Sequence, residues 1–192
     1  MSLEHAILGF LNYGPHSGYD LKKVFDVSVQ HFWPADQSQI YRTLSRLEDK
    51  GWAEMELVEQ DDRPDRKVYH ITTAGQEELR RWLITPLPSK AVRSAPLIQV
   101  FFAAQLSDEE ILAIFERWAE SARALLARYE QVPQESAEYE EMNGTPRDSF
   151  FWMLTLEFGI KSMQAQLEWF ESVIQRIRDK QHPGPGKPEP RG

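Results

Sequence analysis

Between Asp36 and Gly51 the chain sets Ser38, Arg42, Ser45, Arg46 and Asp49 on one face of a helix at about 100° per residue. Gln39, Tyr41 and Lys50 flank that face, and Thr43 falls nearer the opposite edge. Hydroxyl, amide and guanidinium groups are the donors and acceptors that read base edges and grip phosphates in a major groove. No Glu interrupts this helix before Glu48. Further on, Arg63, Arg66 and Lys67 cluster at a turn that suits phosphate or minor-groove contact, although Asp61, Asp62 and Asp65 nearly neutralise it. Lys22 and Lys23 form a third cationic group, placed to reach a backbone across the groove. Taken alone, the polar face is an ordinary solvated helix surface. Its setting favours nucleic acid.

That setting is the order of elements. Leu3, Ile7, Leu8 and Leu11 predict a first helix, closed by Asn12-Tyr13-Gly14-Pro15. Ser17 is placed to cap a second helix, about Gly18 to Gln30, whose buried face is Leu21, Val24 and Phe25. Asp36 followed by Gln39 reads as a capping box opening the third, with Ile40, Leu44 and Leu47 inward and Gly51 as its C-cap. The period then drops towards two. Trp52 to Glu59 and Arg66 to Thr72 predict a hairpin, and Thr73 opens a helix to about Ile84 with Leu79, Trp82 and Leu83 inward. Three helices and a hairpin are the order of a winged helix-turn-helix.

Thr85-Pro86-Leu87-Pro88 marks a boundary, so residues 1–85 are expected as one domain and 86–182 as a second, mainly helical one. Ala95 to Leu106 reads as a short apolar helix, and Ser107 caps the next. That helix repeats apolar residues at Ile111, Phe115, Trp118, Ala122, Leu125 and Tyr129. After an acidic connection, a last helix from about Asp148 to His182 repeats them at Leu156, Ile160, Met163, Leu167, Phe170 and Ile174. Two heptad-like helices read as an antiparallel hairpin that needs cover on its second face. The Leu156–Ile174 stripe is therefore expected to form a homodimer interface. Residues 183–192, with four Pro and three Gly, are expected to be disordered.

Composition limits what such a chain does. With 192 residues, 22 Lys+Arg against 30 Asp+Glu and a formal charge of -8, it is no bulk electrostatic binder of nucleic acid. Residues 1–85 carry 10 basic and 14 acidic groups and residues 86–192 carry 12 and 16, so any such surface is local. No Cys is present, which excludes disulfides, thiolate nucleophiles and Cys-ligated metals. The five His (His5, His16, His31, His70, His182) show no metal-ligand spacing, and neither G-x-S-x-G, Walker A nor G-x-G-x-x-G occurs. An enzyme is not expected, nor a cofactor. No signal peptide or apolar run of about 20 residues is evident, so the expected place is the cytoplasm.

The segments ILGFLNYGPHSGYDLKKVF, SQIYRTLSRLEDKGW and RPDRKVYHITTAGQEELRRWL resemble the PadR family of bacterial transcriptional regulators. APLIQVFFAAQLS and the helices after it resemble the C-terminal domain of its larger subfamily, so that the likeness spans about residues 3–180. The resemblance implies a mainly α fold with a small β-hairpin and a homodimer on a palindromic operator in double-stranded DNA. It also implies a repressor released by a phenolic or other small aromatic effector. It places Gln39, Tyr41, Arg42, Thr43 and Arg46 in the recognition helix, Arg63, Pro64, Arg66 and Lys67 in the wing, and Tyr19 at the start of the second helix. His16 would stand where an effector is met. Among the aromatic residues of the second half, Phe101, Trp118 and Trp152 are candidates for the same pocket, although aromatics at helical spacing more often build a core. The alternative is a winged-helix interaction module that no longer binds DNA.

Overall fold

The computed structural model describes residues 2–30, 32–59, 65–88, 93–132 and 145–183. Arg63, Pro64 and the tail beyond Pro183 lie outside the described residues, and with them the expectations for the wing tip and the terminus. Two compact units divide the chain: residues 1–88 with 132–152, and residues 89–131 with 153–192.

In the first unit, α1 (Ser2–Tyr13), α2 (Gly18–Val27) and α3 (Gln37–Asp49) surround one apolar core. The helix-spaced Ile7, Leu8, Leu21, Ile40, Leu44 and Leu47 are all fully buried, as the periodicity requires. The expected capping box of α3 forms, and the expected Ser17 cap of α2 is a capping box as well. Ser17 Oγ accepts from Asp20 N while Asp20 accepts from Ser17 N, and Asp36 and Gln39 make the same exchange. Lys50 caps the C-terminus of α3, one residue before the expected Gly51, whose φ of +67° is open to glycine at little cost.

The hairpin pairs β2 (Ala53–Val58) with β3 (Arg66–Ile71), in a register that runs from Ala53↔Ile71 to Val58↔Arg66. A two-residue strand, β1 (His16–Ser17), adds to the other edge of β3, giving the order β1-β3-β2. Two residues carry no periodic signal, which is why β1 escapes a reading of the sequence.

α4 (Thr73–Ile84) is capped by Thr72, one residue before the expected Thr73. Gly75 packs so closely that a β-carbon there would collide with the Trp52 carbonyl oxygen. Leu83, expected inside, is 65% exposed; the buried polar position on α4 is instead Glu78.

The second unit contains α5 (Ala95–Phe101), a 3₁₀ turn (Ala103–Gln105), α6 (Asp108–Tyr129) and α7 (Pro146–Arg178), whose first residues to Trp152 count with the first unit. Ser107 caps α6 with Glu110 in a capping box. α5 is shorter than expected because the 3₁₀ turn takes its last residues. α6 and α7 form the antiparallel hairpin. Arg123 pairs with Glu171 and Arg178 with Glu116, while Phe115, Ala119 and Ile174 are buried between the helices against Trp118, Leu167 and Phe170.

The expected dimer stripe is only partly covered within one chain. Leu156 and Ile174 are 4% and 8% exposed within a single chain, Leu167 and Phe170 belong to its own core, and Ile160 and Met163 are half-buried. Apolar groups left exposed include Phe151, Leu154 and Phe158 on α7, and Leu97, Ile98, Phe101 and Phe102 on and just after α5.

Candidate nucleic-acid interface

α3 presents Ser38, Gln39, Tyr41, Arg42, Ser45, Arg46 and Lys50 to solvent, and it packs on β2 of the hairpin whose other strand carries the exposed Arg66 and Lys67. Gln39, Arg42 and Arg46 each have a local restraint. Gln39 Oε1 accepts the Asp36 N–H at 3.0 Å, which leaves its amide NH₂ as the outward donor. Arg42 Nε donates to Ser38 O at 3.3 Å. Arg46 Nη2 donates to Thr43 Oγ1 at 2.9 Å, and Thr43 in turn donates to Gln39 O at 2.7 Å.

Thr43 is the exception among the expected readers. It is fully buried, with its hydroxyl occupied on both sides, so it orients Arg46 and does not itself read a base. Lys50 also differs from expectation. Its Nζ donates to both carboxylate oxygens of Glu4 at 2.9 Å and lies 4.5 Å from the centroid of the Trp52 ring. Its charge is thus compensated within the protein.

The remaining cations divide by partner. Lys22 pairs with Asp26 one turn on, and Arg66 pairs with Asp20. Lys23 stands over the exposed Tyr19 ring, 4.5 Å from its centroid. Among the described residues no carboxylate lies within ion-pair distance of Lys23, Arg42 or Lys67. Asp20 anchors this corner. Burial pushes its carboxyl up, but hydrogen bonds from Ser17 and Arg66 outweigh burial and hold it below the usual carboxylate range. The acids Glu4 and Asp20 escaped the sequence reading because each pairs with a cation 46 residues away. Only Lys22–Asp26, at helical i,i+4 spacing, was legible there.

His16 sits on β1 opposite Tyr69. Its Nε2 is buried and has no hydrogen-bond partner among the described residues. Burial lowers its imidazole below the ordinary value, with Asp20 opposing and Arg66 adding to the shift.

The other expected effector residues are each described within their own unit. Phe101 is 80% exposed against Phe102. Trp118 lines a pocket of about 500 Å³ in the second unit together with Trp169, Met163 and Leu97. Trp152 meets Tyr13 edge to face at 5.6 Å, within the first unit.

Tyr13 leads to a pocket that the sequence reading missed. About 430 Å³ in volume, it is lined by His5, Tyr13, Phe32, Trp33, Trp82 and Asp148 among others. Its walls are built. His5 stacks on Trp82 at 4.6 Å and donates to Glu78 at 3.0 Å; that bond, with Arg81, holds the Glu78 carboxyl below its usual range. Tyr13 Oη donates to Asp148 at 3.2 Å, and burial with the Asp148 charge raises its phenol pKa. Enclosure by aromatic walls with a few fixed polar groups suits a small aromatic ligand.

Among the described residues no group of three or more His, Cys, Asp or Glu is placed to hold a metal ion, and no helix is long and apolar enough to cross a membrane.

Residues 7–81 match the model of the transcriptional regulator PadR-like family, and residues 92–178 match that of the virulence activator alpha C-terminal domain. A probable transcriptional regulator of Mycobacterium tuberculosis, Rv1176c, is 32% identical over 94% of this chain and 100% of its own length. The negative transcriptional regulator PadR of Bacillus subtilis is 31% identical over 91% of this chain and 97% of its own. Crystal structures of that PadR superpose with a TM-score of 0.79 in complex with operator DNA (29% identity, 92% of this chain and 99% of that one) and 0.73 in complex with p-coumaric acid (27%, 93% and 99%). The winged helix, the polar face of α3 and these matches together make the chain a DNA-binding transcriptional regulator of the PadR-like family.

Proposed function

We propose that the chain is a cytoplasmic, dimeric repressor that holds a two-fold symmetric operator and releases it when a small phenolic acid binds. The observation that carries the reading is the exposed row Ser38, Gln39, Arg42, Ser45 and Arg46 on α3, in the same unit as a hairpin with Arg66 and Lys67 exposed. A recognition helix places such groups on base edges while the wing grips phosphate, and a dimer repeats the contact about 34–36 Å away. The dimer is built by the apolar groups that the hairpin leaves outside, Phe151, Leu154 and Phe158 with those of α5. The ligand pocket is the one between His5, Tyr13, Trp33 and Trp82, whose rings suit an aromatic ligand and whose Tyr13 and Asp148 suit a phenol hydroxyl. The likeness to a relative crystallised both with operator DNA and with p-coumaric acid supports both halves of the reading. Regulation, not catalysis, is its role.

The test uses a duplex enriched from a random pool by the wild-type chain. Arg42→Ala with Lys67→Ala is expected to weaken binding to that duplex by about 10- to 100-fold in a gel shift. Unchanged binding would remove the repressor reading and leave the exposed apolar faces as those of an interaction module. p-Coumaric acid is expected to raise the concentration of wild-type chain needed for the shift, and Trp82→Ala to abolish that response.

A further inference from the structure

The cations at the C-terminal half of α3 converge on one buried acid. Glu4, on α1, is 5% exposed. Its carboxylate accepts from Lys50 Nζ on both oxygens at 2.9 Å and lies 3.9 Å from Arg46 Nε. Arg46 is held a second time, through Nη2 on the Thr43 hydroxyl at 2.9 Å, and Thr43 is itself fixed on Gln39 O. The guanidinium is thus hydrogen-bonded to Thr43 and ion-paired with Glu4, neighbours from different elements, while its side chain stays 58% exposed. A fork fixed in this way loses little freedom when it meets a base edge, and a planar fork is specific only when its plane is fixed.

A carboxylate beside a phosphate-binding surface has an opposing cost. It subtracts positive potential from a face that a polyanion must approach, and so weakens sequence-independent binding. A buried acid that touches no DNA but ties two DNA-facing cations therefore favours discrimination over raw affinity.

We propose that Glu4 is a positioning residue for operator discrimination, acting through Arg46 and Lys50. The proposal rests on the DNA-binding reading above and adds to it a residue outside the recognition helix and the wing.

The experiment compares Glu4→Gln with wild type on two duplexes, the one enriched by the wild-type chain and a scrambled duplex of the same composition. The expected result is a fall of about tenfold in the ratio of the two affinities, with binding to the scrambled duplex unchanged or tighter. In an Arg46→Ala background the same substitution should change the ratio far less. A purely structural role would lower the melting temperature and both affinities in parallel. That outcome, or an unchanged ratio, overturns the proposal.

A wild-type measurement needs no variant to fold. Nitrogen relaxation at Arg46 Nε in the DNA-free chain should show a more rigid group than Arg80 Nε, and equal mobility overturns the latch. Failure of the wild-type chain to enrich any duplex would instead remove the DNA-binding reading itself, so the two failures are distinguishable.

Discussion

The ring of Tyr41 lies against the backbone of Gly18, so closely that a β-carbon at Gly18 would stand 2.5 Å from Tyr41 Cε1. This contact joins the first turn of α2 to the outer face of α3 and sets how near the two helices of the helix-turn-helix approach. Gly18→Ala is expected to cost about 1–3 kcal/mol in urea unfolding, the usual size of an overpacking penalty. In a Tyr41→Ala background the cost should shrink, because the ring that forbids the methyl is gone. An equal cost in both backgrounds would show that Gly18 is needed for another reason.

The hairpin of the second unit gives a prediction that separates folding from assembly. Phe115 is 3% exposed, and Phe115→Ala should lose about 3–5 kcal/mol of stability. Leu167→Asp puts an unpaired charge into the same seam and should unfold it, seen as lost helical circular dichroism. Phe158, 75% exposed, behaves differently: Phe158→Asp should keep full helicity yet yield monomers by light scattering. A helical dimer in Phe158→Asp would place the interface elsewhere.

His16 makes stability depend on pH in a stated direction. Burial lowers its folded-state value below 6.5, so between the two values the unfolded chain binds a proton that the native chain resists. The contribution is therefore complete above about pH 6.5 and is lost as the pH falls from there towards the lowered value. Wild type should melt progressively earlier across that window, and His16→Gln should show a shallower decline. Parallel curves would remove His16 as the cause.

Salt reports how many cations meet phosphate. Each phosphate neutralised on B-DNA contributes about 0.9 to the slope of log K against log salt. Lys67 is exposed, so Lys67→Ala should make that slope shallower by about 0.9 for each chain bound, measured by fluorescence anisotropy between 50 and 200 mM salt. A slope equal to that of wild type would take Lys67 off the interface.

Local rules determined much of this protein from sequence alone. The capping residues Ser17, Asp36 and Ser107 open the helices they were expected to open, since a cap and its donor lie only three residues apart. The inward faces of α1, α2 and α3 follow from 3.6-residue spacing, and the outward row of α3 is the complement of Ile40, Leu44 and Leu47.

What tertiary structure decided is which partner each face meets. Periodicity shows that the stripe from Leu156 to Ile174 must be covered, but not whether by α6 of the same chain or by a second copy; Ile174, with Leu167 and Phe170, packs on α6 of the same chain. Spacing marks Arg46, Lys50 and Arg66 as DNA-facing cations, yet Glu4 and Asp20 were invisible as their restraints, because they approach only when α1 and α2 fold onto α3 and β3. The same closure buries Thr43 and brings His5, Tyr13, Trp33 and Trp82 around one pocket. A helix face is set by bonds between near neighbours in the chain. Its occupant is set by contacts between residues far apart, which no spacing encodes.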